Sequence, residues 1–107
     1  MDKELQRNIN DWCMNALDKA SHEFIEDGYV DRGRLRSCTA WVYETDTYYI
    51  LRSYDTMYVA IIDKHTNQCY DLLRYVYGYT NTSAQHVSKF WHDYGDSRIY
   101  RYTYREI

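Results

Sequence analysis

The sequence predicts an α+β domain: an N-terminal amphipathic helix, an antiparallel meander of about four strands, a second short helix and a C-terminal strand joining the sheet. Three observations carry this reading. Apolar residues recur in steps of three and four through the first quarter of the chain, residues 35–75 are rich in Tyr, Val, Ile and Thr between turn residues, and residues 98–107 alternate with a period of two. At 107 residues the chain supports one core and leaves no room for a second. Residues 1–107 are therefore read as one domain, with the first helix in 1–27 and the β-rich part in 35–107.

Each element has its own signal. From Asp2 to about Ile25, the residues Leu5, Ile9, Trp12, Cys13, Ala16, Leu17, Ala20 and Phe24 make one apolar stripe. Glu4, Arg7, Asp11, Asn15, Asp18 and Glu26 fall on the other face, and Gly28 is placed to close the helix in the left-handed conformation. Residues 26–34 read as a loop. Strands are expected near 36–44, 47–53, 57–63 and 68–75, with turns at Thr45-Asp46, Ser53-Tyr54-Asp55 and Lys64-His65-Thr66-Asn67. These connections are too short for a crossover helix, so the strands must pair antiparallel. Val59 and Ile61 alternate with Ala60 and Ile62, apolar on both sides, which predicts a central strand covered on both faces. After Gly78, the run Thr80-Asn81-Thr82-Ser83 offers capping oxygens for a helix over 83–94. Its buried stripe is Val87, Phe90, Trp91 and Tyr94, and Gly95 ends it. In the tail, Ile99, Arg101, Thr103 and Arg105 alternate with Tyr100, Tyr102 and Tyr104 as a last strand.

Composition narrows the function classes. Hydrophobic residues make up 45% of the chain and charged residues 27%, which is ordinary for a folded protein. The 14 tyrosines, against three tryptophans and two phenylalanines, point to a sheet with one wet face or to an interface, because their hydroxyls need partners. The net charge of −3 conceals an asymmetry: residues 1–31 carry eight acids and three bases, residues 32–107 eight acids and ten bases. This is too weak for a DNA mimic, and the whole is too acidic for a general nucleic-acid binder. Met1 to Asn10 is polar and no apolar run is long enough to cross a bilayer, so a cytoplasmic protein without a membrane partner is expected. Cys13, Cys38 and Cys69 are odd in number and widely spaced, which fits reduced, buried side chains better than disulfides or zinc ligands.

No set of residues assembles a recognisable catalytic or metal site along the chain. His22, His65, His86 and His92 show no His-x-x-x-His spacing, and His86 and His92 point in different directions on one helix. No serine sits in a nucleophile elbow, and Gly28, Gly33, Gly78 and Gly95 are isolated from one another. The reading is accordingly no catalytic residue, no metal and no cofactor. What remains is a basic and aromatic group: Tyr75, Tyr77, Tyr79, His86, Lys89, Arg98, Arg101, Tyr102 and Arg105, with Arg74 and His92 beside it. Such a group can bind a protein partner, since tyrosine gives large contact area at low entropy cost. Guanidinium and aromatic groups can also hold phosphates and stack on bases, and Arg98, Arg101, Arg105, His86 and Tyr102 could serve a metal-independent ribonuclease. The plainer alternative is a strand edge whose charges prevent edge-to-edge pairing or meet the acidic first helix.

Two segments carry a resemblance. Leu51-Arg52-Ser53-Tyr54-Asp55-Thr56, leading to Val59-Ala60-Ile61-Ile62-Asp63, resembles an L-x-S-Y-x-T turn followed by an apolar strand. Tyr79-Thr80-Asn81-Thr82-Ser83, followed by His86 and Phe90, resembles a Y-S-x-T-T-x-x-H-x-x-x-F helix start. Both patterns occur in a family of short proteins without assigned activity, found in tailed phages and prophages of Gram-positive and gut bacteria. The motifs cover roughly residues 48–94 and leave the N-terminal helix outside. Met57 and Tyr58 stand where the family has one residue, which predicts a bulge or a register change. The resemblance implies a mobile-element origin. From that context follows the expectation of a non-catalytic inhibitor of a host defence protein, such as a CRISPR-Cas effector nuclease. Nucleic-acid binding by the basic C-terminal strand, and a homodimer paired through that strand or the tyrosine face, are the other two readings.

Overall fold

The computed structural model describes residues 3–36, 39–53, 57–77 and 81–95. Helix α1 spans Lys3–Glu26 and is followed by strands β1 (Val30–Arg34), β2 (Ala40–Glu44), β3 (Tyr48–Ser53), β4 (Met57–Asp63) and β5 (Cys69–Asp71). A π-helical turn, Leu73–Tyr77, then leads to α2, Asn81–Tyr94. The strands form one antiparallel sheet in the order β1-β2-β3-β4-β5, as short connections require. The α+β class, the first helix and the meander are as the sequence predicts, with five strands.

Two stretches of sequence behave differently from their local reading. Residues 26–34, read as a loop, hold β1, an edge strand whose residues are exposed or half-buried. It lacks hydrophobic alternation because it has little core to face, and alternation is the signal by which strands are recognised. The predicted strand 68–75 is paired only over Cys69–Asp71, after which the chain coils. Asp71 causes the change: buried at 2% exposure, its carboxylate accepts a hydrogen bond from the Arg74 backbone N–H at 2.9 Å, capping the π-helical turn. The predicted strand over 98–107, the capping side chains of residues 80–83 and Cys38 lie outside the described residues.

Helix α1 packs through Ile9, Cys13, Ala16 and Ala20, spaced by four, three and four residues. The small side chains bring the helix axis close to the sheet, while Trp12, Leu17 and Phe24 flank the contact half-buried. The helix ends with the Asp27 N–H bonded to the Glu23 carbonyl at 2.9 Å and Gly28 at φ 84°, a conformation that an L side chain resists. Glu23 ties this end to the sheet by accepting the Thr47 backbone N–H at 2.6 Å. Burial alone would raise the Glu23 pKa, but hydrogen bonds from Thr45 and Thr47 and the charge of Lys64 bring it below the ordinary value.

Helix α2 covers the opposite face, with Val87 and Phe90 against Leu51, Val59, Ala60 and Ile62. The molecule is thus layered helix, sheet, helix around β3 and β4, and Val59, Ala60, Ile61 and Ile62 are all at 0–1% exposure, as expected for a strand covered on both sides. Asp93 near the end of α2 accepts two bonds from the Arg36 guanidinium, at 2.9 and 2.7 Å, holding the segment after β1 to the helix. Gly95 follows the last residue of α2, and a Cβ there would lie 2.3 Å from the Trp91 ring.

Candidate functional site

Two bulges decide what the α1 side of the sheet displays. In β1, Asp31 pairs with Tyr43 and Gly33 with Val42, so Arg32 is the extra residue, and Gly33 supplies the left-handed backbone at φ 83°. One residue of offset turns all that follows to the other face, which brings Arg34 opposite Trp41. In β4, Ala60 pairs with Leu51 and Tyr58 with Arg52, so Val59 is extra. The bulge or register change expected at Met57 and Tyr58 is thus a bulge, with the extra residue one place further on, at Val59. It turns Tyr58 toward the α1 side and leaves Val59 beside Ala60 in the α2 core.

The result is a straight row across four strands: Arg34, Trp41, Arg52 and Tyr58, each cross-strand neighbour to the next. The Arg34 and Arg52 guanidinium carbons lie 5.9 and 5.3 Å from the Trp41 ring centre, and Arg52 is also 5.4 Å from the Tyr43 ring. Cation–π attraction of this kind contributes about 0.5–1 kcal/mol per pair at partly exposed sites. It also fixes the guanidinium planes, because stacking removes rotamer freedom. The Arg52 Nε is buried and has no hydrogen-bond partner among the described residues.

Helix α1 crosses β4, β5 and the π-helical turn, and among the described residues this row stays half-buried at Trp41, Arg52 and Tyr58 and exposed at Arg34. Its Trp12 meets Tyr70 at 4.6 Å and Tyr75 at 6.3 Å, and its last turn reaches the sheet at Tyr43 through Phe24. Between helix and sheet runs a cleft of about 170 Å³ lined by Leu17, Ala20, Ser21, Phe24, Ile25, Ile50 and Tyr58. Ile25 at its rim is 80% exposed, and Tyr29, stacked 4.0 Å from Phe24, is 51% exposed. Tyr58 belongs both to the cleft and to the row.

On the α2 side, the two resembling segments meet: Ser53 Oγ and His86 Nδ1 are 3.0 Å apart. Both are buried, at 2% and 4% exposure, and the pair ties α2 to β3. Burial, and then the charge of Lys89, hold the His86 pKa below 6.5, which favours the neutral ring in its hydrogen bond. Cys13 and Cys69 are also inaccessible at 0% exposure, and burial together with the Asp71 charge pushes the Cys13 thiol up to about 12.

The predicted site residues do not gather on one surface within the described part. Tyr75 is half-buried against α1, Tyr77 is exposed at 45%, and His86 lies inside on the α2 side. Lys89 lines a shallow surface depression with Arg36, Ser88, Trp91 and His92. Tyr79, Arg98, Arg101, Tyr102 and Arg105 lie outside the described residues. Among the described tyrosines only Tyr29 and Tyr77 are exposed, the rest turning their rings inward. No group of His, Cys, Asp or Glu among the described residues has the arrangement of a metal site, and no described helix is long and apolar enough to cross a membrane.

The row Arg34–Trp41–Arg52–Tyr58 is the feature that reading along the chain missed. Half of it was available: counting outward from the Thr45–Thr47 turn places Trp41 opposite Arg52. Arg34 was hidden in an apparent loop and Tyr58 behind a bulge. Searches against protein-family models, curated proteins and solved structures return no match to this chain.

Proposed function

We propose that this chain is a non-catalytic binding protein of phage type that docks on a host defence protein and blocks it through the β1–β3 face. The observation that supports this reading is the continuity of the Arg34–Trp41–Arg52–Tyr58 row with the apolar cleft beneath α1. Trp, Tyr and Arg are the residues that most often dominate binding energy at protein interfaces, and they do so beside apolar pockets that exclude water. The resemblance to short phage proteins supplies the host setting and leaves the particular target open. A defence nuclease fits the chain's second feature, an acidic N-terminal third that a basic nucleic-acid channel would attract.

The test uses tagged protein in bacterial lysate, with nuclease treatment and two salt concentrations, run beside a Trp41→Ala, Arg34→Glu variant. A stoichiometric protein partner that the variant loses, together with loss of the partner's defence activity in the presence of the native chain, is the expected result. Retention of nucleic acid alone, released at high salt, would instead favour the basic C-terminal residues. A partner held equally by the variant would remove the β1–β3 face from the reading.

A further inference from the structure

We infer that the β1–β3 face recognises an acidic, apolar segment of a protein, with one apolar side chain entering the cleft under α1 and an adjacent carboxylate meeting Arg52 and Arg34. This rests on the docking reading above and adds to it the chemistry of the partner. The cleft fixes the first half. Of its lining residues only Ser21 and Tyr58 carry a polar side-chain atom, and its volume of about 170 Å³ suits one leucine- or phenylalanine-sized group. An apolar cavity of ~150 Å³ accommodates benzene while remaining unfavourable for water.

Arg52 fixes the second half. Its Nε donor is buried and unpartnered among the described residues, and its guanidinium is held in place against Trp41 and Tyr43. Nε lies out of reach of solvent, so a partner's carboxylate would accept from the terminal nitrogens of the half-buried Arg52, in a plane that the stacking on Trp41 and Tyr43 fixes. Ile50 in the cleft and Arg52 are alternate residues of one strand face, roughly 7 Å apart. Side chains one helical turn apart on a partner span a similar distance, about 5–6 Å. Asp31, on the same face at β1, is engaged with the Gly33 N–H at 2.8 Å and marks the end of the positive strip.

A single-stranded nucleic acid fits less well. The Trp41 ring already carries two guanidinium groups, and Tyr43 carries one, so bases lack a free stacking surface there. The helix beside the cleft also belongs to the segment with eight acids against three bases, which repels a run of phosphates but tolerates one or two carboxylates set against Arg52.

The experiment is an NMR titration of the full isotope-labelled chain with three probes: a short amphipathic peptide of leucine and glutamate, its leucine and lysine counterpart, and an oligothymidylate. The expected result is a shift of the Trp41 indole N–H and the Ile25 and Ile50 methyl signals with the glutamate peptide alone. Arg52→Gln should weaken that binding about tenfold, the size of one charge-assisted hydrogen bond. Arg34→Glu, at an exposed position, and Ser21→Trp, which fills the cleft, should each weaken it without touching the core. Equal binding of the lysine peptide, or no shift with either peptide, overturns the inference, whereas the docking reading stands or falls separately with the Trp41-dependent partner. Binding of the oligothymidylate at these signals overturns both.

Discussion

The two faces of the sheet are built from the same strands and finished differently. On the α2 side, Leu51, Val59, Ala60, Ile62, Val87 and Phe90 are sealed at 0–1% exposure, and the polar atoms of Ser53 and His86 answer each other. On the α1 side, the helix seals β4 and β5 and buries Tyr43, Tyr48 and Ile50, but the described residues leave Trp41, Arg52 and Tyr58 only half-buried and Arg34 exposed, with arginines stacked on aromatic rings and an apolar cleft beside them. The difference teaches where stability and binding reside. A sealed face gives up free energy when altered, because atoms removed there leave a void, while an open face can change its chemistry at small cost to the fold.

The largest expected effect breaks the sealed face. Phe90→Ala should destabilise the chain by about 3–5 kcal/mol, read from urea unfolding, because Phe90 is fully buried between α2 and the sheet. Trp41→Ala on the α1 side should cost about 2–3 kcal/mol, of which the two lost cation–π contacts make about 1–2 and lost partial burial the rest, while abolishing capture of the partner. If the two costs proved equal, the distinction between the faces would be wrong.

Next in size, Gly95→Ala should lower stability by about 1–3 kcal/mol, since the new Cβ meets the Trp91 ring, itself packed on the α2 core. Ser53→Ala removes the buried hydrogen bond to His86 Nδ1 and should cost about 1–3 kcal/mol. The same histidine gives the fold a pH dependence of definite sign. Its native pKa lies below the unfolded value of 6.5, so the unfolded chain binds the extra proton first. The contribution of neutral His86 is therefore complete above pH 6.5 and is lost as pH falls from there through the native pKa. Unfolding curves at several pH values should show this slope for the native chain and a flatter one for His86→Gln.

The smallest effect sharpens the comparison from the other side. Arg34→Glu, at an exposed edge position, should change stability by no more than about 1 kcal/mol, the size of its contact with Trp41, while reversing the preference for an acidic partner. A loss as large as that of Ser53→Ala would mean that the row serves chiefly to hold the sheet together.

Much of the architecture can be read directly from residue order. The stripe from Ile9 to Ala20 has helical period because those side chains meet one surface, and the Val59–Ile62 run is apolar throughout because that strand is covered twice. Edge strand β1 escapes such reading, since Asp31, Arg32 and Gly33 satisfy no core and so follow no period. The coil after Asp71 escapes it too: Leu72 to Tyr77 has the composition of a strand, and only the capping carboxylate and the packing of Tyr75 on Trp12 make it turn.

The sequence by itself determined the class of fold, the first helix and its acidic outer face, the antiparallel meander with its doubly covered strand, and the buried character of Cys13 and Cys69. Local periodicity and short connections suffice for these, because each is a property of neighbours along the chain. The tertiary structure alone decided that Ser53 meets His86, that α1 lies chiefly over β4, β5 and the π-helical turn, and that Arg34, Trp41, Arg52 and Tyr58 stand in one row. Those depend on two single-residue bulges, and a bulge turns every later side chain to the other face without leaving more than a residue's trace in the pattern.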